Sequence, residues 1–265
     1  ANTAMLWAWL GGMGTGQLLF NPRLSFTSRV FCCITLALLF LFSLRQISWV
    51  SGILPVSVTV GVLVSLRYRS KSVGLVVVLV VLALAYGPSL YHQLGLDQEL
   101  ATSGVGRVKH YQIVVELALR RPWFGLGMAA YRHYSWTMAG EVASLLFRGA
   151  QISSHNNYLD IFAQMGIVGL LVFVWLASTL GRLAWRLKDR FSSGFEAAYV
   201  YTGIAGLAGT LVGGLLGDWF LPFVYNIGLP GFRSSAMAWL FLGGLVALDA
   251  ISTRSTPLTS SASPQ

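Results

Sequence analysis

The strongest candidates for chemistry are the polar residues that stand directly before a long apolar run. Residues 155–158 read His-Asn-Asn-Tyr, and the apolar run covers 161–180. Asn156 or Asn157 could be the N-cap of a helix, with Asp160 three residues after Asn157 as in a capping box. We expect free backbone N–H groups at this helix start, and such groups favour an anion such as a phosphate.

His155 is the candidate general base of this segment. The positive end of the helix dipole disfavours a protonated imidazole, so His155 would stay neutral and able to accept a proton near neutral pH. A lone histidine is more often a structural hydrogen-bonding group, and this alternative stays open. The other histidines, His92, His110 and His133, have no carboxylate or cysteine at ligand spacing. We therefore expect no metal site and no cofactor.

Two arginines are candidate ligands for an anion. Arg45 stands between the apolar segments 30–44 and 46–65. It could be an interfacial side chain that snorkels to water, or it could face a polar cavity and bind an anion. Arg107 opens a stretch with helical periodicity, where its charge would add to the positive end of the helix dipole and suit a phosphate. A solvated surface arginine is the alternative for Arg107.

The composition is that of a protein embedded in a membrane. The chain has 265 residues, 55% hydrophobic and 10% charged, with a mean hydropathy of +0.67. Soluble domains carry about 25% charged residues, and a span across a bilayer needs about 20 apolar residues. We therefore predict an all-α polytopic membrane protein. The net charge of +9 does not indicate nucleic-acid binding, because most basic residues lie in short loops between apolar runs.

The elements that must position these residues are about seven transmembrane helices and one long, partly helical periplasmic loop. The apolar runs predict spans at roughly 4–20, 30–44, 46–65, 73–87, 158–180, 196–216 and 233–250. If the spans alternate, ten basic residues share one side: Arg23, Arg29, Arg67, Arg69, Lys71, Arg182, Arg186, Lys188, Arg190 and Arg254. The opposite short loops hold only Arg45 and Arg233. This bias predicts that the basic side is cytoplasmic.

One membrane domain is expected over 1–251, lacking some N-terminal helices, with a disordered cytoplasmic tail at 252–265. Its outer loop, 88–157, should contain a helix over 105–121 that ends before Pro122. The aromatic and glycine residues at 123–127 predict a turn anchored at the level of the lipid headgroups. Glycines in the first and sixth spans predict close helix packing.

Three stretches resemble the O-antigen ligase and polymerase family of membrane glycosyltransferases. Residues 43–49, Ser-Leu-Arg-Gln-Ile-Ser-Trp, resemble its arginine segment at the outer start of a helix. Residues 107–127 resemble its loop helix, which opens with an arginine and ends in Pro-x-x-Gly-x-Gly. Residues 155–169 resemble its helix with the His-Asn-x-Tyr-Leu motif.

The resemblance implies a metal-independent transfer at the periplasmic face of the bacterial inner membrane. The donor would be an undecaprenyl diphosphate-linked glycan held in membrane lipid, and the acceptor a glycan, lipid A-core or protein hydroxyl. Arg45 and Arg107 would hold the diphosphate, and His155 would contact it or take the proton from the acceptor. The further substrate contacts would be Asn156, Asn157, Tyr158 and Arg121.

Two other functions stay open at the level of the sequence. A non-enzymatic transporter or flippase of an anionic lipid or solute would show paired half-helices, or a repeat with ionisable residues at the bilayer midplane. An inert membrane scaffold would leave the structured outer loop without a role.

Overall fold

The computed structural model describes residues 4–45, 50–68, 105–128, 154–221 and 229–254. Within these ranges the chain forms helices and no strands, which confirms the predicted all-α class. The helices are α1 (Ala4–Phe20), α2 (Phe26–Arg45), α3 (Val50–Arg67), α4 (Val105–Leu119), α5 (Asn157–Arg190), α6 (Phe195–Gly213) and α7 (Leu229–Arg254).

Three of these helices are long and apolar enough to cross a membrane. They are α5, α6 and the part of α7 from Ser235 to Arg254. Shorter apolar helices occupy Phe26–Phe42 within α2 and Gly52–Arg67 within α3. The expectation of seven spans is thus confirmed in part, and its fourth span, 73–87, lies outside the described residues.

The helix ends differ from the expected ones at two places. Helix α5 is longer than the predicted fifth span, because it continues beyond residue 180 to Arg190. The expected tail also begins too early, because α7 continues through Arg254; residues 255–265 lie outside the described residues. The loop helix α4 ends at Leu119, before Pro122, as proline predicts.

The glycine-rich helix α6 lies at the centre and packs against α1, α3, α5 and α7. A Cβ on Gly206 would overlap the indole ring of Trp9 in α1. A Cβ on Gly203 would overlap the side chain of Leu245 in α7. The prediction of close packing through small residues is confirmed for α6, and the chain can thereby bury its central helix without large side chains on it.

The outer faces of the bundle are apolar. Exposed side chains on α2 and α5 include Phe31, Ile34, Leu38, Phe40, Leu171, Val172, Val174 and Trp175. In water an apolar surface of this extent would be a liability for aggregation, whereas in a bilayer it faces lipid. The exposed faces therefore agree with the hydropathy of the spans, and the chain is a membrane protein.

Three of the basic segments lie at one end of the bundle. The guanidinium of Arg190, at the end of α5, donates from Nη1 to Oδ1 of Asp249 in α7 at 2.9 Å. Arg23, which precedes α2, lies close to the α5–α6 connection: its Nη1 is 3.9 Å from where a Cβ on Gly194 would stand. Three of the basic segments thus share one end, as predicted. The start of α5 and the end of α6 lie at the opposite end.

Candidate active site

Helix α5 is broken near the end that carries the candidate residues. Gly166 has φ 67 and ψ −164, which is not helical. The break divides α5 into a half-helix over 157–165 and a long helix over 167–190. Segment 122–127, which begins three residues after the end of α4 at Leu119, fills the break; we call this segment the clasp.

The clasp replaces two helical hydrogen bonds with four. In an unbroken helix the N–H groups of Ile167 and Val168 would bond to the carbonyls of Ala163 and Gln164. The observed bonds run from Ile167 to Pro122 (2.8 Å), Val168 to Trp123 (3.2 Å), Leu126 to Ala163 (2.8 Å) and Gly127 to Gln164 (3.1 Å). All four backbone groups on α5 are therefore satisfied at the break, as burial in a membrane protein requires.

Two glycines allow this close approach. Gly125 and Gly166 both have positive φ, at 71° and 67°. A Cβ on Gly125 would overlap the main chain between Gln164 and Met165, and a Cβ on Gly166 would overlap the carbonyl of Trp123. The Pro-x-x-Gly-x-Gly pattern, predicted as an anchored turn, is thus a packing element for α5.

The start of α5 is capped by Asn156, one of the two predicted candidates. The Oδ1 atom of Asn156 accepts from the N–H groups of Tyr158 at 3.0 Å and Leu159 at 3.2 Å. The predicted capping box does not form, because Oδ1 of Asp160 accepts from the N–H of Ser154 at 3.2 Å instead of from the N-cap residue. This contact folds the residues before the helix back over its first turn.

The expectation of free N–H groups at this helix start is wrong for its first three residues. The N–H of Asn157 donates to the carbonyl of Gly214 at 2.8 Å. Those of Tyr158 and Leu159 are taken by the side chain of Asn156. Since protein acceptors occupy all three, a phosphate bound at this end would have to be held by side chains.

Asn157 and Tyr158 join the start of α5 to the end of α6. Asn157 is fully buried, and its Oδ1 accepts from the N–H groups of Phe220 at 2.7 Å and Leu221 at 3.3 Å. The hydroxyl of Tyr158 donates to the carbonyl of Leu211 at 2.6 Å. Each predicted contact of Asn156, Asn157 and Tyr158 with substrate stays a prediction, while their contacts within the protein shape the site.

His155 lies directly before the N-cap of the half-helix, beside a buried carboxylate; we call this end of the half-helix the mouth of the site. Its φ of 55 makes it the one non-glycine residue with positive φ among the described residues. Its Nδ1 lies 4.0 Å from Oδ2 of Asp218; the His155 side chain is 59% exposed and that of Asp218 is 2% exposed. Asp218 was not among the candidates predicted from the sequence, although an acidic residue at the end of an apolar, glycine-rich span is a sign of a functional site.

The three predicted arginines have different outcomes. Arg45 is the last residue of α2 and Arg107 the third residue of α4. Their side chains lie outside what the structure describes, so their convergence on His155 stays a prediction. Arg121 is exposed and adjoins the clasp, whereas His155 precedes the other end of the half-helix 157–165, which is about 13 Å long at 1.5 Å per residue. The contact of Arg121 with substrate stays a prediction.

One comparison with known proteins identifies a family for this chain. A family model described as O-antigen ligase matches residues 30–174, more than half of the chain. The matched region includes α4, the clasp, His155 and the break in α5. A search of curated proteins found no match.

Proposed function

Because the chain belongs to the O-antigen ligase family, we propose that it transfers a glycan from an undecaprenyl diphosphate-linked donor to an acceptor hydroxyl. The family supports a glycosyl-transfer role in O-antigen assembly. The observation that carries the finer proposal is the position of His155, exposed at the mouth of a broken span with a carboxylate 4.0 Å from its Nδ1.

The proposed reaction is a displacement at the anomeric carbon with His155 as general base. The acceptor O–H bond breaks and its proton passes to the imidazole. The acceptor oxygen bonds to the anomeric carbon, and the bond from that carbon to the phosphate oxygen breaks. The diphosphate leaves with the electron pair of that bond. A positioned base contributes about 10²–10⁴-fold to such a reaction.

Arg45 and Arg107 are proposed to hold the leaving diphosphate. A guanidinium binds phosphate oxygens through two parallel N–H bonds, and its charge offsets the negative charge that builds on the leaving group. Because protein acceptors occupy the first N–H groups of α5, side chains have to supply this stabilisation. Two guanidinium groups supply it without a metal ion.

The proposed site lies at the outer edge of the bacterial inner membrane, on the periplasmic side. Counting about 20 residues back from Arg182, the length that crosses the hydrocarbon core, reaches Phe162, next to the break. His155 then lies above the hydrocarbon, where the headgroup of a lipid-linked donor would be. The end that holds Arg190 would be cytoplasmic, because basic segments stay inside. The acceptor would be a glycan, lipid A-core or a protein hydroxyl.

A transporter or flippase of an anionic lipid is the second candidate function, because α5 is discontinuous. In transporters, free backbone groups at such breaks bind the ion or substrate. Here the clasp occupies the carbonyls of Ala163 and Gln164 and the N–H groups of Ile167 and Val168. The break therefore supports the first proposal better than the second.

The test is a transfer assay with purified protein in lipid vesicles. Undecaprenyl diphosphate-linked glycan is the donor, and lipid A-core, free glycan and a hydroxyl-bearing peptide are tried as acceptors. We expect transfer by the wild-type chain and a loss of about 10²-fold or more in His155→Ala. Movement of the donor between leaflets without transfer would favour the transporter instead.

A further inference from the structure

Asp218 carries a carboxylate near His155, and the reaction proposed above gives this carboxylate no role. It follows α6 in the segment 214–221, and its side chain is 2% exposed. We propose that Asp218 is a positioning residue that orients the imidazole of His155 for proton transfer. This inference rests on the proposed function. It gives the proposed proton acceptor, His155, a partner side chain that orients it.

The geometry assigns the two ring nitrogens different roles. Nδ1 of His155 lies 4.0 Å from Oδ2 of Asp218. A neutral imidazole carries its proton on one nitrogen and a lone pair on the other. The carboxylate favours the form with the proton on Nδ1, which leaves the lone pair on Nε2. Nε2 then accepts the proton of the acceptor hydroxyl.

The carboxylate also stabilises the product of this step. When Nε2 takes the proton, the ring becomes a cation with its Nδ1–H facing Asp218. An opposite charge at this distance favours the charged ring, and burial of the carboxylate strengthens the attraction because the local dielectric is low. The proton stays on the imidazole, whose Nδ1–H faces the carboxylate of Asp218.

The backbone around Asp218 is held by contacts from two other helices. At the start of α5, Oδ1 of Asn157 accepts from the N–H groups of Phe220 and Leu221, and the Asn157 N–H donates to the carbonyl of Gly214. From α7, Nε1 of Trp239 donates to the carbonyl of Phe220 at 2.7 Å. Segment 214–221 is therefore fixed on both sides of Asp218, as the support for an oriented base should be.

The backbone of His155 is held from both sides as well. The hydroxyl of Ser154 donates to the carbonyl of Asn156 at 2.9 Å and accepts from the Asn156 N–H at 3.1 Å. These two bonds bridge His155 and maintain its sparsely populated φ of 55. Such conformations persist where the surroundings over-determine them, and they concentrate at functional sites.

The test compares Asp218→Asn, which keeps the shape and removes the charge, with the wild-type chain in the vesicle assay. We expect kcat to fall about ten-fold or more, part of the 10²–10⁴-fold that a positioned base supplies, with the KM for the lipid-linked donor unchanged. Added to His155→Ala, Asp218→Asn should have no further effect, because the group it orients is gone. Asp249→Asn, at the opposite end of the bundle, is the matched control and should leave kcat unchanged.

The outcomes separate this inference from the proposed function. Wild-type kcat in Asp218→Asn, with His155→Ala inactive, would overturn the role of Asp218 and leave the proposed function standing. A rise in the KM of Asp218→Asn for the donor, with kcat unchanged, would also overturn the role of Asp218. Absence of transfer by the wild-type chain would overturn both. If Asp218→Asn does not fold, Asp218→Glu keeps the charge, and a kcat as low as that of His155→Ala in folded protein would contradict the inference.

Discussion

The carbonyl oxygen of Trp123 accepts a hydrogen bond from the N–H of Val168, at 3.2 Å, across the break in α5. This bond and its three neighbours join the clasp, which follows the loop helix α4, to α5 near its N-terminal end. Arg107 lies on α4, and His155 directly precedes the half-helix that ends at the break. The clasp therefore links the backbones that carry two of the proposed reacting groups.

Substitution of Gly166 by alanine should destabilise the protein. The Cβ would overlap the carbonyl of Trp123, at a φ that side chains rarely adopt. We expect a loss of about 1–3 kcal/mol in the free energy of unfolding, measured by thermal unfolding in detergent. Gly243→Ala is the matched control, because nothing lies within 4 Å of its Cβ position in α7. The control should be neutral or slightly stabilising.

A second glycine tests whether this loss comes from the clasp. Gly125→Ala should also destabilise, because its Cβ would overlap the main chain after Gln164. Since either substitution opens the same contact, the double variant should lose clearly less than the sum of the two single losses. Strict additivity would mean that the two glycines act independently, contrary to the joint packing of the clasp and α5.

Asn157→Ala should lower the free energy of unfolding by about 1–3 kcal/mol. The substitution leaves the N–H groups of Phe220 and Leu221 without their acceptor. Asn157→Asp keeps an acceptor oxygen at the same place and should unfold at a higher temperature than Asn157→Ala. Equal unfolding temperatures for the two variants would show that these hydrogen bonds do not stabilise the protein.

Arg45→Ala and Arg107→Ala should each reduce glycan transfer about ten- to hundred-fold, the loss expected for a charge-assisted hydrogen bond. Arg45→Lys and Arg107→Lys should recover only part of the activity, because lysine lacks the paired donors that match phosphate oxygens. Arg186→Ala, an exposed arginine at the basic end of α5, is the control. Wild-type rates in both alanine variants would remove the arginines from the proposed mechanism.

Local patterns in the sequence predicted the helices well, because apolar runs and prolines act within a few residues. The loop helix ends before Pro122, and the central helix packs through glycines such as Gly206, as expected. The sequence also narrowed the N-cap of α5 to Asn156 or Asn157, and Asn156 is the observed one. Capping is local in the same way, since it involves one side chain and the next few N–H groups.

Contacts between distant segments were not predictable in this way. Gly166 stands in an apolar run, where a glycine usually indicates helix packing, and only the arrival of segment 122–127 makes it a break. Asp218 is far from His155 along the chain, and tertiary structure alone brings its carboxylate near the imidazole. The carbonyl of Gly214, which occupies the Asn157 N–H, belongs to the same class of distant contact.

The exchange of two helical hydrogen bonds for four also determines how often the clasp can detach from α5. If the clasp withdrew and α5 closed into a continuous helix, the backbone would lose a net two hydrogen bonds. At about 0.5–1.5 kcal/mol each, these two bonds make the attached state more populated than the detached one by roughly five- to 160-fold. Donor entry and product release should therefore take place while the clasp stays attached to α5.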